Sequence, residues 1–318
     1  MKTDYLRISI TDKCNLRCMY CHPFVREDFI PHAEILRFEE ITRIVEYLES
    51  LGIGKIRITG GEPLVKNGIE DLVFMIKEIP GIEEVNMTTN GILLNEKYDS
   101  LKCAGLNRIN ISLNTLKRER YEKMMGGDYL PIVLRAVKEA AEEENAFLKI
   151  NSILFKGVND DEIIDLVEFA VQHDICIRFI ECYSTNNEMT DLERKCIPNT
   201  VVKKIIENKF GLLKQDIKFP DNGPAQTFML PGARSAVGFI SAHTENFCGH
   251  CTRLRLSSDG KIFPCLFSRD YLDVKALLRG RFTDSHITEK LLSLITGKCD
   301  YSKENRTESN FSLRSIGG

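Results

Sequence analysis

Three closely spaced cysteines near the N-terminus are the residues best suited to chemistry in this 318-residue chain. Cys14, Cys18 and Cys21 have the spacing C-x3-C-x2-C and directly follow a run of residues that predicts a strand. Three thiolates on one loop can hold three irons of a four-iron, four-sulfide [4Fe-4S] cube. The fourth iron would then be open to the amino and carboxylate groups of a small molecule. A zinc site is the alternative, but structural zinc requires four ligands, and His22 adjoins Cys21 too closely for comfortable chelation.

A second group of three cysteines lies near the C-terminus. Cys248, Cys251 and Cys265 have the spacing C-x2-C-x13-C. Spacing alone leaves two alternatives open, a second iron-sulfur cluster and a zinc site completed by His243 or His250. The other cysteines share no motif spacing and are assigned to no cluster; they are Cys103, Cys176, Cys182, Cys196 and Cys299. We expect Cys103 and Cys176 to be small, buried apolar side chains.

Polar segments follow three of the predicted strands. Residues 59–63 have the sequence TGGEP, in which the glycines permit a close approach of the backbone to a ligand. Residues 88–91 and 112–114 end the next two predicted strands. For these two segments, the local sequence is equally compatible with ligand contacts and with ordinary turns or helix caps.

The elements that must position these residues alternate between strands and helices as far as about Glu181. Six strands are predicted, at residues 6–10, 55–59, 84–88, 108–112, 148–154 and 175–181. Five amphipathic helices are predicted between them, at residues 38–51, 69–79, 95–104, 131–144 and 161–173. The alternation predicts a parallel sheet, either an open barrel or a doubly wound sheet, with ligands beyond the carboxyl ends of the strands.

The pattern changes after Ser184. A polar stretch leads to a predicted helix at residues 200–209, then to shorter strand-like pieces and a last predicted helix at residues 271–278. We therefore expect two units, residues 1–184 with the parallel sheet and residues 185–318 with the second cysteine group.

Basic residues occur within the predicted strands, where a sheet covered on both faces normally carries apolar side chains. Two pairs of them lie two residues apart and so share one face of a strand. Each residue alone could be a solvated or salt-bridged side chain, but the set together favours a site for an anionic ligand. The set comprises Arg7, Lys55, Arg57, Lys149, Arg178, Arg253 and Arg255.

The composition limits the classes of partner. The chain has 43 Lys and Arg against 46 Asp and Glu, so no overall basic field indicates nucleic acid or an anionic membrane. The first residues lack the apolar stretch of a secretory signal, and no run approaches the roughly 20 apolar residues of a membrane span. We expect a cytoplasmic protein with neither nucleic-acid nor membrane partners. Eleven cysteines in a reducing compartment favour metal binding over disulfides.

Taken together, these motifs resemble those of the radical S-adenosylmethionine (SAM) enzymes that carry two [4Fe-4S] clusters. Within that superfamily the chain is similar to the GTP 3′,8-cyclase family of molybdenum cofactor biosynthesis. The likeness rests on the first cysteine loop, the TGGEP segment, the segment from Cys248 to Phe267 and the terminal Gly-Gly. It implies a partial (βα)6 TIM-type barrel with a C-terminal auxiliary-cluster α+β region.

The resemblance also implies roles for individual residues. The two cysteine groups would hold one [4Fe-4S] cluster each, and the seven basic residues would contact GTP. The residues implied to contact SAM are Tyr20, Gly60, Gly61, Glu62, Thr88, Ser112 and Tyr183. Those implied to assist the later catalytic steps are Arg253, Arg255, Gly317 and Gly318. This chain has His22 and Tyr183 where methionine is expected from the family.

The implied reaction begins with one-electron cleavage of SAM to methionine and a 5′-deoxyadenosyl radical, which abstracts hydrogen from C3′ of GTP. The carbon radical then attacks C8 of guanine, and reduction gives the 3′,8-cyclic nucleotide. The implied partners are GTP, an electron donor such as flavodoxin or ferredoxin, cyclic pyranopterin monophosphate synthase as the next enzyme, and a second copy in a homodimer. One alternative is a paralogous twin-cluster enzyme acting on a peptide or other small molecule; a more remote one is a non-catalytic iron-sulfur or zinc protein.

Overall fold

The computed structural model describes residues 3–21, 29–143, 148–182, 190–215, 225–241, 244, 251–266 and 268–300. The strands are β1 (Tyr5–Ser9), β2 (Lys55–Thr59), β3 (Glu84–Thr89), β4 (Arg108–Ser112), β5 (Leu148–Ile153), β6 (Cys176–Ile180), β7 (Lys214–Gln215), β8 (Gln226–Met229), β9 (Ala236–Ile240), β10 (Arg253–Leu256), β11 (Lys261–Phe263) and β12 (Leu272–Asp273). The helices are α1 (Phe38–Glu49), α2 (Ile69–Lys77), α3 (Leu94–Cys103), α4 (Arg118–Met125), α5 (Leu130–Glu142), α6 (Ile163–Gln172), α7 (Thr190–Glu193), α8 (Asn199–Phe210), α9 (Val274–Arg279) and α10 (Asp284–Thr296). The predicted alternation of strands and helices is confirmed, and β1 to β6 match the six predicted strands within one residue at each end.

All these strands belong to one sheet, in the order β12-β11-β10-β1-β2-β3-β4-β5-β6-β9-β8-β7. The strands from β10 to β9 in that order are parallel, and antiparallel strands extend both edges. Strands β1 to β6 follow one another without a reversal, so right-handed crossovers place their helices on a single face of the sheet. A doubly wound sheet would reverse the order at a switch point. The fold is therefore a partial barrel with added antiparallel strands.

The C-terminal region completes the sheet at both edges. Strand β9 pairs with β6, and β10 pairs with β1, each in the parallel direction. The two predicted units therefore contribute to the same sheet. The predicted boundary between residues 184 and 185 lies outside the described residues.

Apolar and polar side chains occupy opposite faces of the barrel strands. In β2, Ile56 and Ile58 are fully buried in the hydrophobic core, whereas Lys55 and Arg57 face the inside of the barrel. Helix α1 supplies the matching apolar stripe, with buried residues at Ile41, Ile44, Val45 and Leu48. The core thus lies between the sheet and its helices. The barrel interior, which apolar side chains fill in most barrels, is polar here.

Helices α4, α7 and α10 are not predicted by the sequence pattern. Five of the eight residues of α4 are charged, and its apolar positions are confined to Tyr121, Met124 and Met125. Such a short apolar face gives little periodic signal. No helix among the described residues has the length and apolar character needed to cross a membrane.

Two further predictions are wrong. The last predicted helix, residues 271–278, begins instead at Val274, because Leu272 and Asp273 pair with β11. The Asp273 side chain caps the helix by accepting the N–H of Ala276 over 2.8 Å. Cys176 is buried as predicted, but Cys103 is exposed at the end of α3.

Candidate active site

A cavity of about 530 Å³ lies on the inner face of the barrel. Alternate residues of the barrel strands β1, β2, β4, β5 and β6 face it, as Lys55, Arg57 and Thr59 of β2 illustrate. The cavity contacts all three cysteines of the first group, six of the seven predicted SAM contacts and six of the seven predicted GTP contacts. Its volume is within the range of small-molecule sites. The fold therefore brings most of the predicted site residues to one place.

The two cysteine groups lie at opposite ends of this cavity. Cys14, Cys18 and Cys21 follow the carboxyl end of β1, whereas Cys251 precedes the amino end of β10. These two strands are parallel neighbours, and Tyr5 pairs with Arg253. The length of β1, roughly 16 Å at about 3.3 Å per residue, therefore separates the two ends. A molecule in the cavity can lie between the two groups.

The loop of the first cysteine group packs backbone to backbone on the TGGEP segment. The N–H of Gly61 donates to the carbonyl oxygen of Thr11 over 2.6 Å, and the N–H of Glu62 donates to that of Lys13 over 2.8 Å. A Cβ at Gly60 would lie 2.7 Å from the oxygen of Thr11, and one at Gly61 would lie 2.2 Å from that of Lys13. The glycines are therefore needed for contact between these two segments, and both also lie on the cavity wall.

Glu62 connects the TGGEP segment to the end of β3. Its buried carboxylate accepts hydrogen bonds from the N–H of Leu64 (3.0 Å), the hydroxyl of Thr89 (2.7 Å) and the N–H of Asn90 (2.7 Å). Burial raises the pKa of Glu62 to about 7, although these three hydrogen bonds oppose the rise. Most of the bonding capacity of the carboxylate is thus used within the protein, which makes Glu62 a positioning residue at the cavity wall.

Tyr20 and Asn114 link the cysteine loop to the ends of β4 and β5. The Tyr20 hydroxyl accepts a hydrogen bond from Nδ2 of Asn114 (2.9 Å), and Oδ1 of Asn114 accepts the N–H of Ile153 (2.8 Å). Burial, together with the neighbouring Cys18, raises the pKa of Tyr20, so its hydroxyl stays neutral. Ser112, two residues before Asn114, also lies on the cavity wall.

Residues at the end of β3 reach both the basic side chains and the cysteine loop. The hydroxyl of Thr88 accepts a hydrogen bond from Nη1 of Arg57 over 3.4 Å. Nδ2 of Asn90 donates to Oδ1 of Asn15 over 2.7 Å and lies 4.0 Å from the sulfur of Cys14. Asn90 therefore helps to hold the first cysteine loop.

The first cysteine group fits an iron-sulfur cluster. Burial, together with the nearby Cys21 and Cys14, raises the pKa of Cys18. These thiols therefore need a positive metal centre in order to become thiolates. Among the described residues, no three His, Cys, Asp or Glu side chains are arranged to hold a single metal ion. A cube instead offers a separate iron to each thiolate.

The second cysteine group is described at two of its three positions. Strand β11 is antiparallel to β10, with Phe263 opposite Arg255, so the chain returns at Cys265 to the end of β10 where Cys251 lies. Cys251 lies on the cavity wall, and Cys265 does not. Burial by itself would raise the pKa of Cys251, but the charges of Arg253 and Lys298 bring it down to about 7. This environment favours a thiolate, the form that binds iron.

Six of the seven predicted basic residues lie on the cavity wall; they are Arg7, Lys55, Arg57, Arg178, Arg253 and Arg255. Lys149 does not. It is buried, with 7% of its surface exposed, on the same face of β5 as the wall residue Asn151. In the sheet, Lys149 pairs with Asn110 and Cys176.

Two charged residues at the amino end of the barrel were not predicted. Arg108 and Glu84 both lie on the cavity wall and form an ion pair over 3.3 Å. Each begins a predicted strand and precedes another wall residue, Asn110 or Asn86, by two positions. The period of two along those strands could therefore have identified them.

The charge of the cavity differs in sign from that of the whole protein. Its wall contains seven basic side chains and three acidic ones, Glu62, Glu84 and Glu181, whereas the chain has a formal net charge of −3. Some of the basic groups are occupied within the protein, since Lys55 contacts Asp4 over 3.2 Å and Nε of Arg57 donates to the Tyr5 hydroxyl. An excess of positive charge on the wall of a cavity favours a polyanionic ligand.

Several predicted site residues lie outside the described residues. They are Cys248 of the second cysteine group, Tyr183 among the SAM contacts, and the terminal Gly317 and Gly318.

Two protein-family models match this chain, one after the other. The Radical SAM superfamily model matches residues 8–170, and the Molybdenum Cofactor Synthesis C model matches residues 175–304. The first covers the partial barrel up to α6, and the second covers the region that contains the second cysteine group.

Similar solved structures share the fold. SuiB of Streptococcus suis, bound to S-adenosylmethionine, has a TM-score of 0.65 and 19% sequence identity, covering 94% of this chain and 68% of that one. The structure titled anSMEcpe with bound AdoMet has a TM-score of 0.59 and 18% identity, covering 98% of this chain and 93% of that one. At these identities the likeness concerns the fold alone.

Curated relatives are similar over almost the full length. The GTP 3′,8-cyclase of Petrotoga mobilis is 42% identical, covering 90% of this chain and 88% of its own. The enzyme of the same name from Thermodesulfovibrio yellowstonii is 41% identical, with coverages of 92% and 90%. That of Moorella thermoacetica is 38% identical, with coverages of 99% and 97%. The chain belongs to the GTP 3′,8-cyclase family of the radical SAM superfamily.

Proposed function

We propose that this protein is a GTP 3′,8-cyclase, which converts GTP to (8S)-3′,8-cyclo-7,8-dihydroguanosine 5′-triphosphate in the first step of molybdenum cofactor biosynthesis. The observation that carries the proposal is the cavity between the two cysteine groups, with seven basic side chains against three acidic ones. A nucleoside triphosphate brings about four negative charges, which such a wall can neutralise by charge-assisted hydrogen bonds.

Cys14, Cys18 and Cys21 would hold a [4Fe-4S] cluster, with SAM beside it at the carboxyl ends of the strands. When bound, these groups supply the electron and the 5′-deoxyadenosyl radical that removes hydrogen from C3′ of GTP. The contribution of the protein is to fix their positions. Glu62 holds the end of β3 against the TGGEP segment, Tyr20 joins Asn114, and Gly60, Gly61, Thr88 and Ser112 complete this part of the wall. Tyr183 is proposed to join them.

The second cysteine group, with Cys248, Cys251 and Cys265, is proposed to hold another [4Fe-4S] cluster at the other end of the cavity. Three thiolates would leave one iron of that cluster open, and this iron would position the guanine base. The low pKa of Cys251 supports thiolate ligation there. Zinc was the alternative on spacing, and metal analysis distinguishes the two, because only a cluster contains sulfide.

The basic wall residues are proposed to bind the triphosphate and to keep water from the reacting ribose. Arg178 and Arg255 are 6% and 5% exposed, so their charges act in a poorly solvated space, where electrostatic attraction is strong. Arg7, Lys55, Arg57 and Arg253 complete this set on the wall, and Lys149 is proposed to support it from β5. Arg253 and Arg255, with the terminal Gly317 and Gly318, are proposed to assist the steps after C8 is attacked.

The remaining proposals concern partners and organisation. A flavodoxin or ferredoxin would supply electrons, and cyclic pyranopterin monophosphate synthase would consume the product. The enzyme would act as a cytoplasmic homodimer, each chain comprising units 1–184 and 185–318.

The proposal is tested by an anaerobic reaction of the iron- and sulfide-reconstituted protein with SAM, a reductant and GTP. Mass spectrometry should detect 5′-deoxyadenosine and a cyclised nucleotide, with neither formed efficiently when GTP is omitted. Cleavage of SAM with GTP unchanged would show that the radical chemistry is right and the substrate is wrong. Zinc without sulfide in the purified protein would contradict the enzyme assignment altogether.

The substrate assignment is tested separately by replacing both Arg253 and Arg255 with alanine. The double variant should lose GTP binding while its first cluster still cleaves SAM slowly. A matched control replaces Arg135, which is exposed on α5, and Arg194, which is exposed directly after α7, and it should bind GTP as the wild type does. If the variant without Arg253 and Arg255 bound GTP as tightly as wild type does, the triphosphate could not lie at the end of the cavity where β10 begins.

A further inference from the structure

Lys298 is a buried lysine beside the second cysteine group. It lies in the short 3-10 turn Gly297–Asp300 that follows α10, and 9% of its surface is exposed. Its Nζ donates a hydrogen bond to the backbone carbonyl oxygen of Arg253, the first residue of β10. Lys298 belongs to none of the sequence motifs. Its position therefore requires an explanation of its own.

The surroundings of Lys298 consist of cluster ligands and substrate-binding residues. Burial lowers the pKa of Lys298, and the guanidinium groups of Arg253 and Arg255 lower it further, whereas the thiols of Cys251 and Cys265 oppose this shift. An ammonium group has three N–H donors, and burying it is costly unless those donors are satisfied. Among the described residues, the hydrogen bond to Arg253 accounts for one of them. Cys251 lies two residues before Arg253, and the pairing of β10 with β11 returns the chain at Cys265 to the same end of β10.

We propose that the Lys298 ammonium compensates the negative charge of the second cluster and its thiolate ligands, and that it thereby raises the reduction potential of that cluster. The inference rests on the proposed second cluster. Reduction adds one electron and so makes the cluster more negative. A fixed positive charge in a poorly solvated environment stabilises the reduced form more than the oxidised form.

Lys298 also positions the residues around it. By holding the carbonyl of Arg253, it fixes the start of β10, with Cys251 two residues before and Arg255 two residues after. A merely structural lysine would act through this hydrogen bond alone. Both glutamine and arginine at position 298 can still donate a hydrogen bond to the carbonyl of Arg253. Only arginine also keeps the positive charge. The two substitutions therefore separate the electrostatic role from the structural one.

The experiment compares reconstituted full-length wild type, Lys298→Gln and Lys298→Arg under anaerobic conditions. Iron and sulfide are measured first, and the potentials of both clusters are then determined by redox titration followed with electron paramagnetic resonance. In Lys298→Gln, the potential of the second cluster should shift to a more negative value, while that of the first, at the other end of the cavity, stays unchanged. Lys298→Arg should stay close to wild type. Lys290→Gln, on the exposed face of α10, is the control and should change neither potential.

The other outcomes also decide the question. If Lys298→Gln retains only the first cluster while Lys298→Arg retains both, the positive charge is needed to hold the second cluster, which supports the inference. If both variants lose the second cluster, or if Lys298→Gln has the wild-type potential, packing rather than charge explains Lys298 and the inference is wrong. If wild type itself holds only four irons, the second cluster of the proposed function is absent and the inference fails with it.

Discussion

Gly61 lies so close to Lys13 that a Cβ on the glycine would be 2.2 Å from the carbonyl oxygen of the lysine. Two backbone hydrogen bonds join the same segments. The substitution Gly61→Ala must therefore push the first cysteine loop away from the TGGEP segment. We expect this variant to bind about half the iron of wild type, because the first cluster loses its preformed loop, and to lose cleavage of SAM. Iron analysis and 5′-deoxyadenosine formation measure the two effects.

The matched control is Gly297→Ala, since a Cβ at Gly297 would meet no atom within 4 Å. This variant should retain the wild-type iron content. Full iron content in Gly61→Ala would show that the cysteine loop can move without cost, which would contradict the role given to this glycine.

Glu62 should make the stability of the protein depend on pH. Burial raises the pKa of its carboxyl group from about 4.5 in the unfolded chain to about 7 in the fold. Between these values the folded protein keeps a proton that the unfolded chain has lost. The contribution of the Glu62 carboxyl group to stability is therefore fully present below about pH 4.5 and is lost as the pH rises through 7. The total loss is about 3 kcal/mol. Denaturant unfolding of the metal-free protein at several pH values measures this decline.

The substitution Glu62→Gln should remove that dependence. The variant should be less stable than wild type, because an amide cannot accept all three hydrogen bonds, and the deficit should be larger at pH 5 than at pH 7. Glu119→Gln, at an exposed position of α4, should show no such difference. An equal deficit at both pH values would mean that Glu62 ionises in the fold as it does in the unfolded chain.

The barrel strands and the first cysteine loop could be predicted because each has a strong local signal. The strands have β-branched runs of the right length, and the cysteines have a fixed spacing. The sequence could not decide between an open barrel and a doubly wound sheet. That choice depends on the order of strands in the sheet, which is a property of long-range pairing such as that of β10 with β1.

The residues that were missed act through tertiary contacts. Lys298 follows a helix that the sequence did not predict, and it reaches the second cysteine group only because the chain folds back onto β10. Glu62 was predicted as a site residue and lies on the cavity wall, but its hydrogen bonds to Leu64, Thr89 and Asn90 could not be predicted from the sequence. Side-chain roles of this kind depend on which strand ends are neighbours.

Gly238 should control the position of Arg178. The two residues pair directly between β9 and β6, and a Cβ at Gly238 would lie 2.9 Å from Cγ of Arg178. Because Cγ lies near the start of the side chain, Gly238→Ala must displace the whole arginine. We expect a severalfold weaker affinity for GTP, with unchanged iron content, measured by equilibrium binding. Unchanged affinity, with Arg178→Ala showing a clear loss, would mean that the arginine accommodates the methyl group.

Tyr121 should limit the stability of the fold. Its ring is fully buried in the core, and its hydroxyl group has no hydrogen-bond partner among the described residues. An unsatisfied buried hydroxyl costs about 1 to 3 kcal/mol, so Tyr121→Phe should raise the free energy of unfolding of the metal-free protein by about that amount. Tyr47 is the control, because its exposed hydroxyl donates to Asp284 over 2.5 Å, and Tyr47→Phe should lower stability slightly. Loss of stability in Tyr121→Phe as well would mean that the hydroxyl has a partner after all. Burial, with a smaller contribution from the nearby Cys18 and Cys14, raises the pKa of this hydroxyl, so that partner would be sought at the first cysteine loop.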